Sequence, residues 1–198
     1  MMSRLLPRSA PRWLTDPIVD LLARAGVTPN MLTAAGLLGN LGAAVLAAYG
    51  EFFPAGLIVL AASSLDMLDG ALARATGQDT DFGSVFDAVM DRISEAAVLF
   101  GLVIYFGDKP GTTEEILAFA AVSGSILISY IRARAEIIGL KMNEGFFTRF
   151  ERVLLIGVVL TIGHATALLW ILAVAANVTA VQRLALVWWK TRGRDEAT

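Results

Sequence analysis

The chain contains no cysteine and only one histidine among its 198 residues. It therefore forms no disulfide and no thiolate zinc site, and it has no cysteine nucleophile. Charged residues are also scarce, at 17%, whereas hydrophobic residues reach 56% and the mean hydropathy is +0.65. A net charge of −2 predicts no nucleic-acid partner. A chain this short and this apolar is expected to form one membrane-embedded domain over residues 1–198.

Six apolar stretches predict an all-α integral membrane protein with six transmembrane helices surrounded by membrane lipids. Each stretch is close to the roughly 20 residues that cross a bilayer core. Short turns separate the stretches, and a short cytoplasmic tail follows the last one. The stretches lie near residues 31–49, 52–73, 84–106, 113–135, 150–167 and 168–189.

An N-terminal amphipathic helix over about residues 16–25 is predicted to lie on the membrane surface, before the first span. Asp16 followed by Pro17 is typical of a helix start. Apolar residues at helical spacing then face away from Asp20 and Arg24. This segment is too short and too polar to be a seventh span.

The distribution of positive charge predicts the orientation of the chain. With six spans both termini lie on one side, and only Lys109 of the 16 lysines and arginines falls in a turn on the other side. Cytoplasmic segments of membrane proteins carry the excess of lysine and arginine. Both termini and the active site are therefore expected to be cytoplasmic, in a multi-pass protein of the cell (inner) membrane.

Four aspartates interrupt the second and third spans. Each pair shares a helix face with small residues, because steps of three and four residues return to one side of a helix. Ionisable side chains at membrane depth are expensive and indicate a functional site. The residues are Asp66, Asp69, Gly70, Ala73 and Arg74 in the second span, with Gly83, Asp87 and Asp91 in the third.

Four carboxylates so close together require cations, because their mutual repulsion disfavours the charged forms. Mg²⁺ is usually held by carboxylates together with substrate phosphates. Two such ions can clamp the attacking and leaving oxygens of a phosphoryl displacement. The residues alone therefore indicate phosphate chemistry. An intramembrane salt-bridge network, or the coupling site of an ion-coupled transporter, is the alternative.

The spacing D-x2-D-G-x2-A-R-x8-G-x3-D-x3-D resembles the signature of the CDP-alcohol phosphotransferase family, and all eight fixed positions are present. The resemblance implies that an alcohol hydroxyl attacks the lipid-bearing phosphate of CDP-diacylglycerol and that CMP leaves. It also implies a homodimer. An inactive scaffold that kept the fold is a further alternative, against which the intact signature argues.

The resemblance also implies roles for the four aspartates. Asp66, Asp69 and Asp87 would bind the metal ions. Asp91 would be the catalytic general base that accepts the hydroxyl proton. It would also be a metal ligand. Two Mg²⁺ ions are expected, and Mn²⁺ suits the same hard oxygen ligands.

The resemblance places the CDP-lipid site on three parts of the chain, including Thr80 in the loop before Gly83. Small residues beside the aspartates would leave room for the cytidine, and Arg74 would contact a phosphate. The segment Thr28-Pro-Asn-Met-Leu-Thr33 matches a further family element; its alternative interpretation is a helix start with Asn30 as the cap. The implied residues are Asn30, Met31, Leu32, Thr33, Gly70, Ala73, Arg74 and Thr80.

Arginines at the cytoplasmic ends of the last three spans indicate a phosphorylated acceptor, since choline, ethanolamine or serine would not require so much positive charge. These segments most resemble bacterial family members that use inositol 1-phosphate and produce phosphatidylinositol phosphate. Glycerol 3-phosphate is the alternative acceptor, and simple positive-inside topology is the alternative role for the arginines. The implied acceptor-phosphate residues are Ser129, Arg132, Arg134, Arg152 and Arg183.

Overall fold

The computed structural model describes residues 12–111, 113–140, 142 and 147–195, and all regular secondary structure in those residues is helical. Short turns join most of the helices, so that successive helices reverse direction. The seven helices in these ranges are α1 (Arg12–Arg24), α2 (Pro29–Ala48), α3 (Phe52–Thr76), α4 (Asp81–Gly107), α5 (Thr113–Ile137), α6 (Arg149–Thr161) and α7 (Ala165–Asp195).

Capping residues fix the helix ends that surround the aspartates. Thr28 caps α2, where its side chain accepts a hydrogen bond from the Met31 backbone at 3.4 Å and Pro29 follows as the first helical residue. Gly77 ends α3 with a φ of 65°, a conformation that glycine adopts without strain. Thr80 then caps α4. The cap of α2 is therefore Thr28, and not Asn30.

The helices α2 to α5 begin and end within a few residues of the predicted spans. The main differences lie in the last two spans. Helix α6 ends at Thr161, because the chain reverses at Gly163 with a φ of 78°. Helix α7 begins earlier than predicted and continues to Asp195, so the tail expected from residue 190 is largely helical.

Helix α1 is longer than the predicted surface helix, since it begins at Arg12 and contains Pro17 inside it. Val19 is buried and packs with Leu32 and Leu72, whereas Leu21 faces outward. The packing of Val19 attaches α1 to the end of the bundle that carries the aspartates. Its placement on a membrane surface stays a prediction.

Within the described residues, four helices are long and apolar enough to cross a membrane: α2, α3, α5 and residues Ala165–Arg192 of α7. Helix α4 is not among them, because the charged residues Asp91, Arg92 and Glu95 lie close together in its middle. The 13 residues of α6 reach roughly 20 Å, which is less than the ~30 Å of a bilayer core. The structure is therefore that of an all-α membrane protein, and the predicted count of six spans is not confirmed.

Small residues let the helices approach closely, as is usual where helices pack within a membrane. A Cβ atom at Gly56 of α3 would lie only 2.5 Å from the carbonyl oxygen of Gly157 of α6. A Cβ atom at Gly124 of α5 would lie 2.9 Å from that of Ala176 of α7. The most extensive helix–helix packing is that of α2 with α3 and α4, of α5 with α7, and of α3 with α6.

Large apolar side chains cover much of the outer surface. An apolar surface of this extent is unusual for a soluble monomer and typical of a protein surrounded by lipid. Outward-facing examples are Leu38, Val45, Phe100, Ile116, Phe119, Trp170, Val178 and Val181.

Candidate active site

Two antiparallel helices carry the four aspartates to one end of the bundle. Asp66 and Asp69 lie in the second half of α3, and Asp87 and Asp91 lie in the first half of α4. Asp69 and Asp91 are buried, whereas Asp66 and Asp87 are half-buried. The N-terminal ends of α2 and α6 lie against this end of the bundle.

Helix α2 shapes the position of two of these carboxylates. The Thr33 hydroxyl donates a hydrogen bond to Asp69 Oδ2 at 2.7 Å. One turn later, a Cβ atom at Gly36 would lie 2.7 Å from Asp66 Oδ1, so a side chain here would displace this carboxylate from its position. Thr33, which was predicted to border the CDP-lipid, therefore also orients a predicted metal ligand.

An arginine from α6 lies between the two aspartate helices. Nη2 of Arg149 donates to Asp66 Oδ2 at 2.6 Å and also forms an ion pair with Asp91 Oδ1. The side chain is 35% exposed, so it reaches the carboxylates from the side of the site that is open to the surroundings, which we call the open side. Arg149 therefore joins three helices through one nitrogen atom.

A second ion pair lies one turn deeper and joins α4 to α6. Nε and Nη2 of Arg152 donate to the two carboxylate oxygens of Glu95 at 2.8 and 2.9 Å. Only 2% of the Arg152 side chain and 4% of the Glu95 side chain are exposed. This bidentate geometry is the strong form of an arginine–carboxylate pair.

A polar cavity opens beside Asp69 and Asp87. It brings together five of the predicted CDP-lipid residues, which are Asn30, Thr33, Gly70, Ala73 and Thr80. The Thr80 hydroxyl also accepts the Gly83 backbone N–H at 3.0 Å, so this residue caps α4 at the cavity. The remaining lining residues are Pro29, Gln78, Asp79, Gly83 and Ser84.

Three other predicted CDP-lipid residues do not line this cavity. Met31 faces outward and is 56% exposed, whereas Leu32 is buried against α1 and α3. Arg74 is exposed, and its Nη1 would lie 3.4 Å from a Cβ atom at Gly70. Arg74 therefore folds back over Gly70, at the edge of the cavity.

The predicted acceptor residues differ in their burial. Arg152 and Arg183 are buried, and Arg183 Nη1 donates to the Ile128 carbonyl oxygen at 3.1 Å. Arg132 and Arg134 are exposed on the last turns of α5, and Arg132 pairs with Glu136 at 2.9 Å. Ser129 is half-buried on the same helix. These side chains surround the basic end of the bundle at different depths.

The four aspartates fit a divalent metal by their chemistry. They offer hard oxygen donors, and Asp87 Oδ1 is buried without a hydrogen-bond partner among the residues that the structure describes. No three acidic side chains in the described ranges form a preformed metal-binding group. Arg149 lies between Asp66 and Asp91 instead and forms an ion pair with each of them.

Two residues at this site were absent from the predicted set. Glu95 lies four residues after Asp91, and Arg149 lies three residues before Arg152, so each shares a helix face with a predicted residue. This spacing was a usable signal. Their ion-pair partners could not be predicted from the sequence, because Glu95 and Arg152 lie 57 positions apart and Asp66 and Arg149 lie 83 positions apart.

Comparison with known proteins gives consistent matches along most of the chain. The model of a family described as CDP-alcohol phosphatidyltransferase matches residues 26–189. The phosphatidylinositol phosphate synthase of Mycobacteroides abscessus is 38% identical over 192 residues, which cover 92% of this chain and 87% of that protein.

Two solved structures of the phosphatidylinositol phosphate synthase of Mycobacterium tuberculosis are also similar, both at 36% sequence identity. The complex with manganese and citrate has a TM-score of 0.81 and covers 88% of each chain. The structure with CDP-DAG bound has a TM-score of 0.79 and covers 89% of this chain and 94% of that one.

Proposed function

Since the chain belongs to the CDP-alcohol phosphatidyltransferase family and is an enzyme of phospholipid synthesis, we propose that it transfers a phosphatidyl group from CDP-diacylglycerol to inositol 1-phosphate. The products are phosphatidylinositol phosphate and CMP. The observation that carries this proposal is the joint placement of four aspartates, a polar cavity and converging arginines at one end of the bundle. The resemblance to this family that was noted in the sequence is confirmed by the family match and by the similar relatives.

Asp66, Asp69 and Asp87 are proposed to hold the divalent metal, with Asp91 as a further ligand. When bound, two Mg²⁺ ions, or Mn²⁺ in their place, neutralise the pyrophosphate and stabilise the departing CMP. The Thr33 hydroxyl fixes the orientation of Asp69 through its 2.7 Å hydrogen bond. Gly36 keeps the space that the Asp66 carboxylate requires.

Asp91 is proposed as the general base. It accepts the proton of the inositol hydroxyl as the hydroxyl oxygen forms a bond to the lipid-bearing phosphorus. The bond from that phosphorus to the bridging oxygen breaks, and CMP leaves with this oxygen. Asp91 is buried on α4, next to the Arg149 side chain that enters from the open side.

The polar cavity is proposed to hold the CDP group. Gly70 and Ala73 leave room for the cytidine, and Asn30, Thr33 and Thr80 also line the cavity. Arg74 at the cavity edge is placed to bind a phosphate. Met31 faces outward and Leu32 faces the interior, so this turn of α2 borders the path of the lipid.

The acceptor phosphate is proposed to bind Ser129, Arg132, Arg134, Arg152 and Arg183. The guanidinium group suits a phosphate because its planar array of donors can form two parallel hydrogen bonds. The exposed pair on α5 would meet the acceptor first, and the buried arginines of α6 and α7 would form the base of the pocket.

The proposed membrane arrangement has six crossings, with α4 and α6 included because both carry outward-facing apolar side chains, such as Phe100 of α4 and Val158 of α6. Both termini and the site face the cytoplasm, because Lys109 is the only lysine or arginine in a turn at the opposite end. We also propose that α1 lies on the membrane surface and that the enzyme is a homodimer.

The test is CMP release by the purified protein with CDP-diacylglycerol and Mg²⁺, comparing inositol 1-phosphate with glycerol 3-phosphate. Preference for inositol 1-phosphate supports the proposal. Preference for glycerol 3-phosphate keeps the chemistry and replaces the acceptor. Absence of CMP release with either acceptor contradicts the proposed reaction.

Replacing Arg132 with alanine is expected to raise the KM for inositol 1-phosphate by about 10- to 100-fold, with little change in the KM for CDP-diacylglycerol. This range corresponds to the loss of one hydrogen bond to a charged group, about 1.5–3 kcal/mol. Arg132 is 49% exposed, so the substitution leaves the fold intact. Steady-state kinetics with each substrate varied in turn measures the two constants.

The matched variants are Arg132→Lys, which keeps the positive charge, and Arg24→Ala, which removes an exposed arginine at the end of α1. Lysine should restore much of the affinity for inositol 1-phosphate, and Arg24→Ala should change neither constant. An equal rise of both KM values in Arg132→Ala would place the acceptor pocket elsewhere.

A further inference from the structure

Arg149 and Arg152 lie one turn apart on α6 but contact carboxylates in different ways. Arg152 binds one carboxylate, Glu95, through two nitrogen atoms and is almost completely buried. Arg149 instead uses one nitrogen atom to contact two carboxylates, which belong to α3 and α4. Its Nε is buried and has no hydrogen-bond partner among the described residues. The planar guanidinium of Arg149 therefore acts as a single positive point between two acids.

Bridging two carboxylates from two helices is the usual role of a divalent ion. The oxygens that Arg149 contacts, Asp66 Oδ2 and Asp91 Oδ1, belong to two of the four proposed metal ligands. A divalent ion and a guanidinium cannot both occupy the position between them, because both are cations and both require the same lone pairs.

The position of Arg149 in the fold makes its displacement feasible. It is the first residue of α6, where the helix dipole disfavours a positive charge. Its side chain is 35% exposed, whereas that of Arg152 is 2% exposed. Only the Arg149 side chain can swing toward the open side of the site while the Arg152–Glu95 pair holds α6 in place.

We propose that Arg149 and the divalent metal compete for Asp66 and Asp91, so that metal binding displaces the Arg149 side chain. Arg149 is then a positioning residue that keeps the two aspartate helices together through their carboxylates until the metal replaces it. This inference rests on the proposed function, because it requires a metal at these aspartates.

The test measures Mn²⁺ binding to the purified protein without substrate. Electron paramagnetic resonance reports the concentration of the free ion. Arg149→Gln is expected to bind Mn²⁺ about tenfold more tightly than the wild type, which is about 1.4 kcal/mol. Arg149→Lys keeps the charge on a shorter side chain and should lie between the two. Arg92→Gln is the matched control, because Arg92 is a nearby arginine of α4 whose guanidinium donates to the Ala88 carbonyl oxygen. It should tighten binding less than Arg149→Gln does.

A second measurement uses the wild-type protein alone. Labelling of arginines with phenylglyoxal, followed by mass spectrometry, should increase severalfold at Arg149 when Mn²⁺ is added. Labelling of the exposed Arg132 should not change, and the buried Arg152 should stay unlabelled.

The outcomes separate this inference from the proposed function. If the wild type binds Mn²⁺ but Arg149→Gln binds it equally or more weakly, and Arg149 labelling does not rise, the competition is wrong and the metal site stands. If the wild type shows no saturable Mn²⁺ binding, the metal role of the aspartates is wrong and the competition falls with it.

Discussion

Replacing Asp91 with asparagine is expected to lower the rate of CMP release by about 10³-fold or more. A positioned general base contributes about 10²- to 10⁴-fold, and asparagine cannot accept the proton of the acceptor hydroxyl. The variant also loses one of the proposed metal-binding carboxylates. Because asparagine has nearly the same size as aspartate and Arg149 keeps its contact with Asp66, the fold should be retained. The rate is measured with saturating CDP-diacylglycerol and acceptor.

Binding of the nucleotide separates a chemical role for Asp91 from a structural one. Asp91→Asn should bind CDP-diacylglycerol with nearly wild-type affinity, because the cavity is lined by other residues. Asp81→Asn is the matched control, since Asp81 is an exposed aspartate on the first turn of the same helix. A wild-type rate of CMP release in Asp91→Asn would remove this residue from the chemistry.

Replacing Glu95 with alanine is expected to lower the free energy of unfolding by about 3–5 kcal/mol, because it leaves the Arg152 guanidinium buried without its partner. Arg152 is 2% exposed, so water cannot take over the lost hydrogen bonds. Its one other hydrogen bond in the described structure is to the Phe147 carbonyl oxygen at 3.5 Å. Thermal unfolding in detergent, compared with the wild type under the same conditions, measures the change.

The chain offers a matched control for this experiment. Glu136 also pairs with an arginine, Arg132, but through one hydrogen bond, and about half of each side chain is exposed. Glu136→Ala should therefore change the free energy of unfolding by less than about 1 kcal/mol. Replacing Glu95 and Arg152 together with leucine should recover part of the stability, since no buried charge then remains. Equal stability of Glu95→Ala and Glu136→Ala would contradict the buried pair.

The helices were predictable because hydrophobic runs and turn residues mark them locally. The ends of α2, α3 and α4 follow signals at Pro29, Gly77 and Thr80 that need no knowledge of the fold. The length of α7 was not predictable in this way. Lysine and arginine after residue 190 indicate the membrane boundary, but they also favour helix, so the helix continues to Asp195.

The candidate site was predictable where one segment carries the signal. The four aspartates belong to two adjacent helices, and their spacing is visible in the sequence. The ion pairs that Arg149 and Arg152 form with carboxylates were not predictable, because α6 reaches α3 and α4 only through the tertiary fold. Thr33 shows the same limit, since its hydrogen bond to Asp69 depends on how α2 packs against α3.

The close approach of Gly56 and Gly157 has a consequence for reading variant data. These glycines lie where α6 packs on α3, and Gly157 is eight residues, or roughly 12 Å, along the helix from Arg149. A larger side chain at either position would tilt α6 and move the end that carries its arginines. A mutational screen scored on activity alone would therefore assign both glycines to the site, although neither lines the cavity.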